Sequence, residues 1–343
     1  MISKSRNVIQ NGNFDVWQRG TTFPAVSVTS TMLADRWKIS CSNGGAVTVT
    51  QDADVPNASS LYSFKVVPST KDDSPSDAEY SWIRHNPEGY SWMKVYGKPM
   101  TLSFWVKSNK TGTYCIHIRA SGADETFLAE YAISSSATWE KKIINVPPIP
   151  AGTWATGTAA ACDIAFPLMP NVTYAGVVGW QSGNKYTTGN QVNFMDSTSN
   201  YWMLSQVQLE AGSSATEFEV KDPTEVLASC QRYFGKWSAE SSSYTRVVEG
   251  CSVSTAVARF FINSTVEMRA IPTLTVSAAT DWSVADADDG IVAGVSTGMS
   301  GQAWRNGAVM YLITAAATQT KYRPVLLISS NTTAARIYMS AEI

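Results

Sequence analysis

The sequence predicts an all-β protein built as an N-terminal jelly-roll β-sandwich, a short linking helix and a second, smaller C-terminal β-sandwich domain. Three observations carry this. Apolar and polar residues alternate with period two in many short runs parted by Gly, Asn, Ser and Pro, the pattern of half-buried strands. Charged residues make up only 16% of the 343-residue chain, against about 25% in ordinary domains, and Ser, Thr, Gly and Asn fill the difference. One segment alone carries a helical period, and tryptophans crowd to one side of it.

The chain opens on "NVIQNGNFDVWQRGTTF" (Asn7 to Phe23) and continues to "LADRWKIS" (Leu33 to Ser40). A turn-prone Asn-Gly-Asn followed by Phe14, Trp17 and Trp37 reads as an extended segment. Its large rings, each burying about 150–250 Å², clamp a first strand onto the sheets. Gly12 and Gly20 suit positive φ, and Arg19, Asp35 and Arg36 suit an ion pair or bonds to turn carbonyls.

In "KPMTLSFWVKS" (Lys98 to Ser108), Leu102, Phe104 and Val106 alternate with Thr101, Ser103 and Lys107. In "TGTYCIHIRASG", Tyr114, Ile116 and Ile118 share one face and His117 takes the other. "TWEKKIINVPPIPAGTW" is a strand running into a Pro-rich corner, since proline cannot serve a central ladder. "GAVTVTQ", "YSFKVVPS", "TYAGVVGW" and "NYWMLSQVQLE" complete the N-terminal set. In "VKDPTEVLASCQRYFGKW", Asp222 is an N-cap, Pro223 opens the helix and Glu225 complements its positive end. Val226, Leu227, Cys230, Tyr233 and Phe234 then form one apolar face, and Gly235 ends it. Nine of the twelve tryptophans precede this helix. The predicted domains are therefore residues 1–220, a linking helix at 221–235, and a β-domain at 236–343. In that last domain "STAVARFFIN", "TLTVSA", "AVMYLITAAA", "RPVLLISS" and "AARIYMSAEI" read as strands, with "ADADDG" and "WRNGA" as turns.

A net charge of −2 offers no footprint for nucleic acid or an anionic membrane. No apolar run approaches the ~20 residues of a membrane span, and "MISKSRNVIQNG" lacks a signal peptide's apolar core. Synthesis in a reducing cytosol is expected. Five widely spaced cysteines, Cys41, Cys115, Cys162, Cys230 and Cys251, show no metal-ligand spacing and read as free thiols. "DWSVADADDG" lacks the closing Glu of an EF-hand loop and reads as a hairpin turn.

Ile9, Asn11 to Asp15, Trp17 to Gly20 and Phe23, followed by Ala34 to Trp37, together resemble the opening of carbohydrate-binding-module-like jelly rolls in tail-fibre and other virion proteins of tailed bacteriophages. The resemblance continues through "TLSFWVKS", "SQVQLEAGSSATEFE" (Ser205 to Glu219), "CQRYF" and "VEMRAIPTLTV", and so touches most of the chain. It implies a virion component, commonly a homotrimer, that assembles with other virion proteins or attaches to a host surface glycan. By the same resemblance only, Asn13 and Glu210 are placed for a structural calcium; no other cofactor is expected.

The binding candidate is "EYSWIRHNPEGYSWMKVYG" (Glu79 to Gly97). Sugars present C–H faces to aromatic rings and hydroxyls to polar side chains. Trp82, His85, Tyr90 and Trp92 alternate with Arg84, Asn86 and Glu88, and the ligand set expected is Trp82, Arg84, His85, Tyr90 and Trp92. The competing reading puts alternate members in the core of two strands joined by an "NPEG" turn. His85 and His117 are the only histidines, which leaves little material for a His-based triad, and the carboxylates are scattered. The function expected is that of a non-enzymatic virion component. The alternatives are a polysaccharide depolymerase using paired carboxylates, or the binding module of a secreted bacterial enzyme.

Overall fold

The structure, a computed structural model, describes residues 5–27, 30–42, 44–239, 244–286, 291–314 and 319–343. The chain divides into two compact units, 1–227 and 228–342. The division falls within the predicted helix, not on either side of it.

The first unit holds β1 (Thr22–Val26), β2 (Thr31–Met32), β3 (Trp37–Ser42), β4 (Ala46–Asp52), β5 (Ser63–Thr70), β6 (Tyr80–His85), β7 (Met100–Ser108), β8 (Gly112–Ala120), β9 (Glu125–Ile133), β10 (Glu140–Val146), β11 (Cys162–Pro167), β12 (Gly179–Ser182) and β13 (Trp202–Ala211), with one helical turn, α1 (Gly89–Trp92). They make two antiparallel sheets, a six-stranded one ordered β1-β4-β5-β13-β7-β10 and a seven-stranded one ordered β12-β9-β8-β11-β6-β3-β2. The inner faces meet in one core, where Phe64, Leu102, Phe104 and Leu204 of the first sheet face Trp37, Ile83, Ile116 and Phe166 of the second. This is a jelly-roll-type sandwich. The alternation predicted for β7 and β8 holds, and His117 lies on the face of β8 away from the core. "TYAGVVGW" departs from prediction: residues 173–178 form a loop with a single bridge from Ala175 to Thr187, and the strand is Gly179–Ser182, paired with β9.

The opening segment is not a strand. Asn11 (φ 53°) and Phe14 (φ 59°) adopt left-handed backbone, which ends any ladder, and side chains replace it. Asn7 takes the amide hydrogens of Ile9 and Leu209 on its Oδ1 and donates to the Val207 carbonyl. Val8 donates to the Leu209 carbonyl. The Trp17 indole donates to the Phe14 carbonyl at 2.7 Å and the Trp37 indole to the Asn11 carbonyl at 3.0 Å. Phe14 sits 4.9 Å from Trp37 and 5.2 Å from Phe64 between ring centres. Arg19 pairs with buried Asp35 at 3.0 Å. The aromatic clamp is therefore present, built on turns. Gly20 has the expected positive φ of 126°. Gly12 does not, and its reason is crowding: a Cβ there would lie 2.2 Å from the Val207 carbonyl oxygen.

The helix α2 runs Pro223–Gln231, with Asp222 accepting the Thr224 amide at 2.8 Å as its cap. It stops before the predicted Phe234 because Phe234 and Gly235 enter a strand. The second unit comprises β14 (Phe234–Ser238), β15 (Arg246–Ser252), β16 (Val257–Asn263), β17 (Thr273–Val276), β18 (Trp282–Asp286), β19 (Ile291–Trp304), β20 (Gly307–Thr314), β21 (Pro324–Ser329) and β22 (Arg336–Ser340). It is β throughout. A three-stranded sheet is ordered β14-β22-β17, and β15-β16-β20-β19-β18-β21 close into a barrel, a solution that removes exposed strand edges. "WRNGA" is the turn between β19 and β20; part of "ADADDG" lies outside the described residues. The five cysteines are free. Among the described residues no helix is long and apolar enough to cross a membrane.

Candidate functional site

A sheet packed on one face exposes the other, so polar residues are the default there. The outer face of the seven-stranded sheet departs from that default. On β6, Trp82 and Arg84 point outward by alternation, with Ile83 between them in the core. Tyr80 stacks on Trp82, ring centres 4.0 Å apart and planes at 15°. A loop between β11 and β12 adds Tyr174, and the loop after β12 adds Tyr186. Tyr186 lies 4.5 Å from Trp82 and 4.7 Å from Tyr174. His117 of β8 meets Trp82 edge-on at 5.8 Å. The tryptophan and tyrosine rings, with Ala165, form an apolar cluster separate from the main core. Tyr80 and Tyr174 are half-buried at its rim, whereas Trp82 is buried beneath Tyr80 and Tyr186, and its indole N–H has no hydrogen-bond partner.

Beside the rings lies an ionic cluster. Asp163 of β11 pairs with Arg119 of β8, its partner in register, and with Arg84 of β6 at 3.4 Å. The Asn86 amide donates to the same carboxylate. Burial opposes the charge on Asp163, but Arg119 and Arg84, with hydrogen bonds from Arg119 and Asn86, hold its carboxyl below the ordinary range. Arg119 also donates to Asn184 at 2.7 Å and lies over the Tyr186 ring at 5.5 Å. His117 shares its Nδ1 hydrogen with the Tyr186 carbonyl at 3.1 Å, and burial, then Arg119, bring its pKa down to about 4. The surface thus offers ring edges, guanidinium and amide groups within one patch, the mixture that holds a polyol. Asp163, ionised and locked by two arginines, is poorly suited to act as general acid or nucleophile, and His117 is too weak a base near neutrality.

Of the residues singled out from sequence, Trp82 and Arg84 come together here. His85 faces the other way: buried against Trp37 at 5.3 Å, it accepts the Gln10 amide on Nε2, and burial, then Arg36 and Lys38, hold its pKa well below the usual histidine value. Trp92 is fully buried, stacked on Trp154 at 5.2 Å. Tyr90 is 63% exposed on α1, away from β6, because the chain after "NPEG" makes a helical turn and not a second strand. Asn86 joins the Asp163 network, and Glu88 is buried at the start of α1. The sequence reading missed Tyr80, Arg119, Asp163, Tyr174, Asn184 and Tyr186; for Arg119 the signal was its alternation with His117 in "CIHIRA".

The pair proposed by resemblance for calcium does not fit a cation. Asn13 is spent on the Ser59 carbonyl and the Ser60 hydroxyl. Glu210 is surrounded by donors, accepting from the amide and hydroxyl of Thr216 and from Gln208. Among the described residues no group of three or more His, Cys, Asp or Glu is placed to hold a metal.

No family model matches the chain, and no curated protein matches it. Several solved structures do align with it. They include the enzymatically active domain of bacteriophage CBA120 tailspike protein 4, at 18% identity and TM-score 0.32, over 60% of this chain and 22% of that one. A family 11 carbohydrate-binding module from a Clostridium thermocellum cellulosomal cellulase aligns at 14% identity and TM-score 0.31, over 56% of this chain and all of the module (100%). TmCBM61 in complex with β-1,4-galactotriose aligns at 10% identity and TM-score 0.29, over 61% of this chain and 100% of that one. All three scores fall below the level at which a likeness carries functional weight.

Proposed function

We propose that the chain is a non-enzymatic component of a tailed-phage virion that holds a host surface glycan on the outer face of the seven-stranded sheet. The observation that supports glycan binding most is the patch around Trp82: four aromatic rings on a face where solvated polar residues are the rule, flanked by Arg84, Arg119, Asn86 and Asn184. Virion membership, assembly with other virion proteins and a homotrimeric state rest on the sequence resemblance. Tyr80 and Tyr174, not Trp82, supply the stacking edges, since Trp82 is already covered. Weak single sites of this kind gain strength from several copies on one particle. A depolymerase is the second reading; the locked state of Asp163 and the low basicity of His117 speak for binding at this face instead.

The test is adsorption. Tyr80→Ala and Tyr174→Ala in the full chain are expected to leave folding intact and to weaken binding to host cells or their isolated polysaccharide. Each stacking contact contributes about 1 kcal/mol. Unchanged adsorption with both substitutions would move the receptor site elsewhere, and release of reducing sugar on incubation would favour the depolymerase.

A further inference from the structure

We infer that the glycan held on this face is acidic, and that its carboxylate is read by Arg84 and Arg119. The inference rests on the proposed reading of the outer face as a glycan site and names the ligand class within it. Arg84 and Arg119 are each largely covered, their side chains 17% exposed, and they share one internal counter-charge, Asp163. His117, packed between the rings beside them, is uncharged at neutral pH. Two cations and one anion leave one positive charge in a partly desolvated patch. Lys38, opposite Arg84 in register on β3, is engaged by an Ile343 oxygen and stands outside this count. Glu130, a further carboxylate on the same face, does not cancel the excess. It lies four residues along β9 from Thr126, the partner of Arg119, and is engaged by Thr188 and Asn190.

Geometry agrees with the charge count. The Nε–H groups of both arginines are buried without an acceptor, so Asp163 alone does not saturate the guanidinium donors. A guanidinium presents a planar fork that matches a carboxylate better than a hydroxyl does. Tyr80 lies four residues before Arg84 on the same face of β6, and Tyr186, which lies under Arg119, also touches Tyr174, so a glycan stacked on the Tyr80 and Tyr174 rims runs along this face towards the guanidinium pair. A neutral glycan would leave the excess charge uncompensated, and a partly buried charge without a partner is unfavourable.

Calorimetric titration of the full-length chain with alginate, polygalacturonate and hyaluronate, against neutral laminarin and mixed-linked β-glucan, tests this at 50 and 300 mM NaCl. A uronate polymer is expected to bind more tightly than either neutral polymer and to weaken with salt. Arg84→Gln should lower that affinity about tenfold, the scale of one charge-assisted contact. Asp163→Asn keeps the shape but removes the internal counter-charge, and should raise affinity severalfold. Opposite signs from two changes in one network are not produced by mere loosening of the fold, and thermal melts of both variants check that the sandwich persists. Binding of a neutral polymer in preference, lost in Tyr80→Ala, would overturn the acidic specificity and leave the glycan reading standing. Affinity falling alike in Arg84→Gln and Asp163→Asn would also overturn it. Retention of no polymer would overturn both.

Discussion

Lowering the pH from 7 to 5 puts a proton on the histidines of an unfolded chain, and the folded first unit refuses it. His117 is buried between Trp82 and Tyr186 with Arg119 close by, and its pKa falls from the ordinary 6.5 to about 4. A group whose basic form is preferred by the fold contributes its full stability above its unfolded pKa and loses it as the pH drops from about 6.5 towards 4. For His117 the two values give a loss of about 2 kcal/mol between pH 7 and pH 5. His85 shifts in the same direction: protonating its Nε2 would break the bond from the Gln10 amide. Asp163, held low, is lost only as the pH falls below the ordinary carboxylate range and does not enter this window. Urea unfolding followed by tryptophan fluorescence at pH 7, 6 and 5 measures it, since nine of the twelve tryptophans lie in the first unit. His117→Asn retains a donor towards the Tyr186 carbonyl but does not titrate, and its stability should fall less over the same range. A stability independent of pH between 7 and 5, or an equal slope in the variant, would refute the assignment of buried neutral histidines.

Three further outcomes are expected. Trp37→Ala, which empties a fully buried site touching Phe14, His85 and Phe166, should destabilise the first unit by about 3–5 kcal/mol in urea titrations. Gly12→Ala should disrupt the opening segment because its Cβ meets the Val207 carbonyl, lowering the melting temperature even though φ at that site is permissive. A thiol reagent on the native protein should label Cys251, which is half-buried, well ahead of the four buried cysteines, and all five should react in denaturant.

Much of the fold was legible because period two reports which side of a strand meets the core. It names a face without naming the neighbours of that strand. β6 is flanked by β11 and then β8, some 80 and 30 residues away in the chain. Trp82 and Arg84 were therefore visible as outward residues, whereas their companions Asp163 and Arg119 were not. The errors at His85 and Trp92 share one cause. The reading carried a mixed aromatic–polar run across "NPEG" as though it shared one surface. Alternation turns His85 inward, and α1 turns Trp92 into the core and Tyr90 out. The opening motif was legible as an aromatic clamp but not as a turn structure, since Asn11 and Phe14 adopt a backbone conformation that residues other than glycine rarely take. β9 and β11 escaped notice because Leu128 and Ala165 are apolar on the outer face as well, which blurs the alternation.

The bonds that tie Asn7 and Val8 to Val207 and Leu209 span about two hundred residues of chain, and β13, which supplies the partner groups, lies between β5 and β7 inside its sheet. On a ribosome that adds about 5–20 residues per second, the first segment emerges on the order of ten seconds or more before its seat exists. Until then, Val8, Ile9, Phe14 and Trp17 have no core to enter, and β5 and β7 offer open edges where β13 will lie. Closure of so long a loop comes late and slowly. The half-made sandwich is the form most exposed to pairing with another nascent copy, which makes the completion of β13, more than any earlier strand, the step at which the unit becomes safe from aggregation.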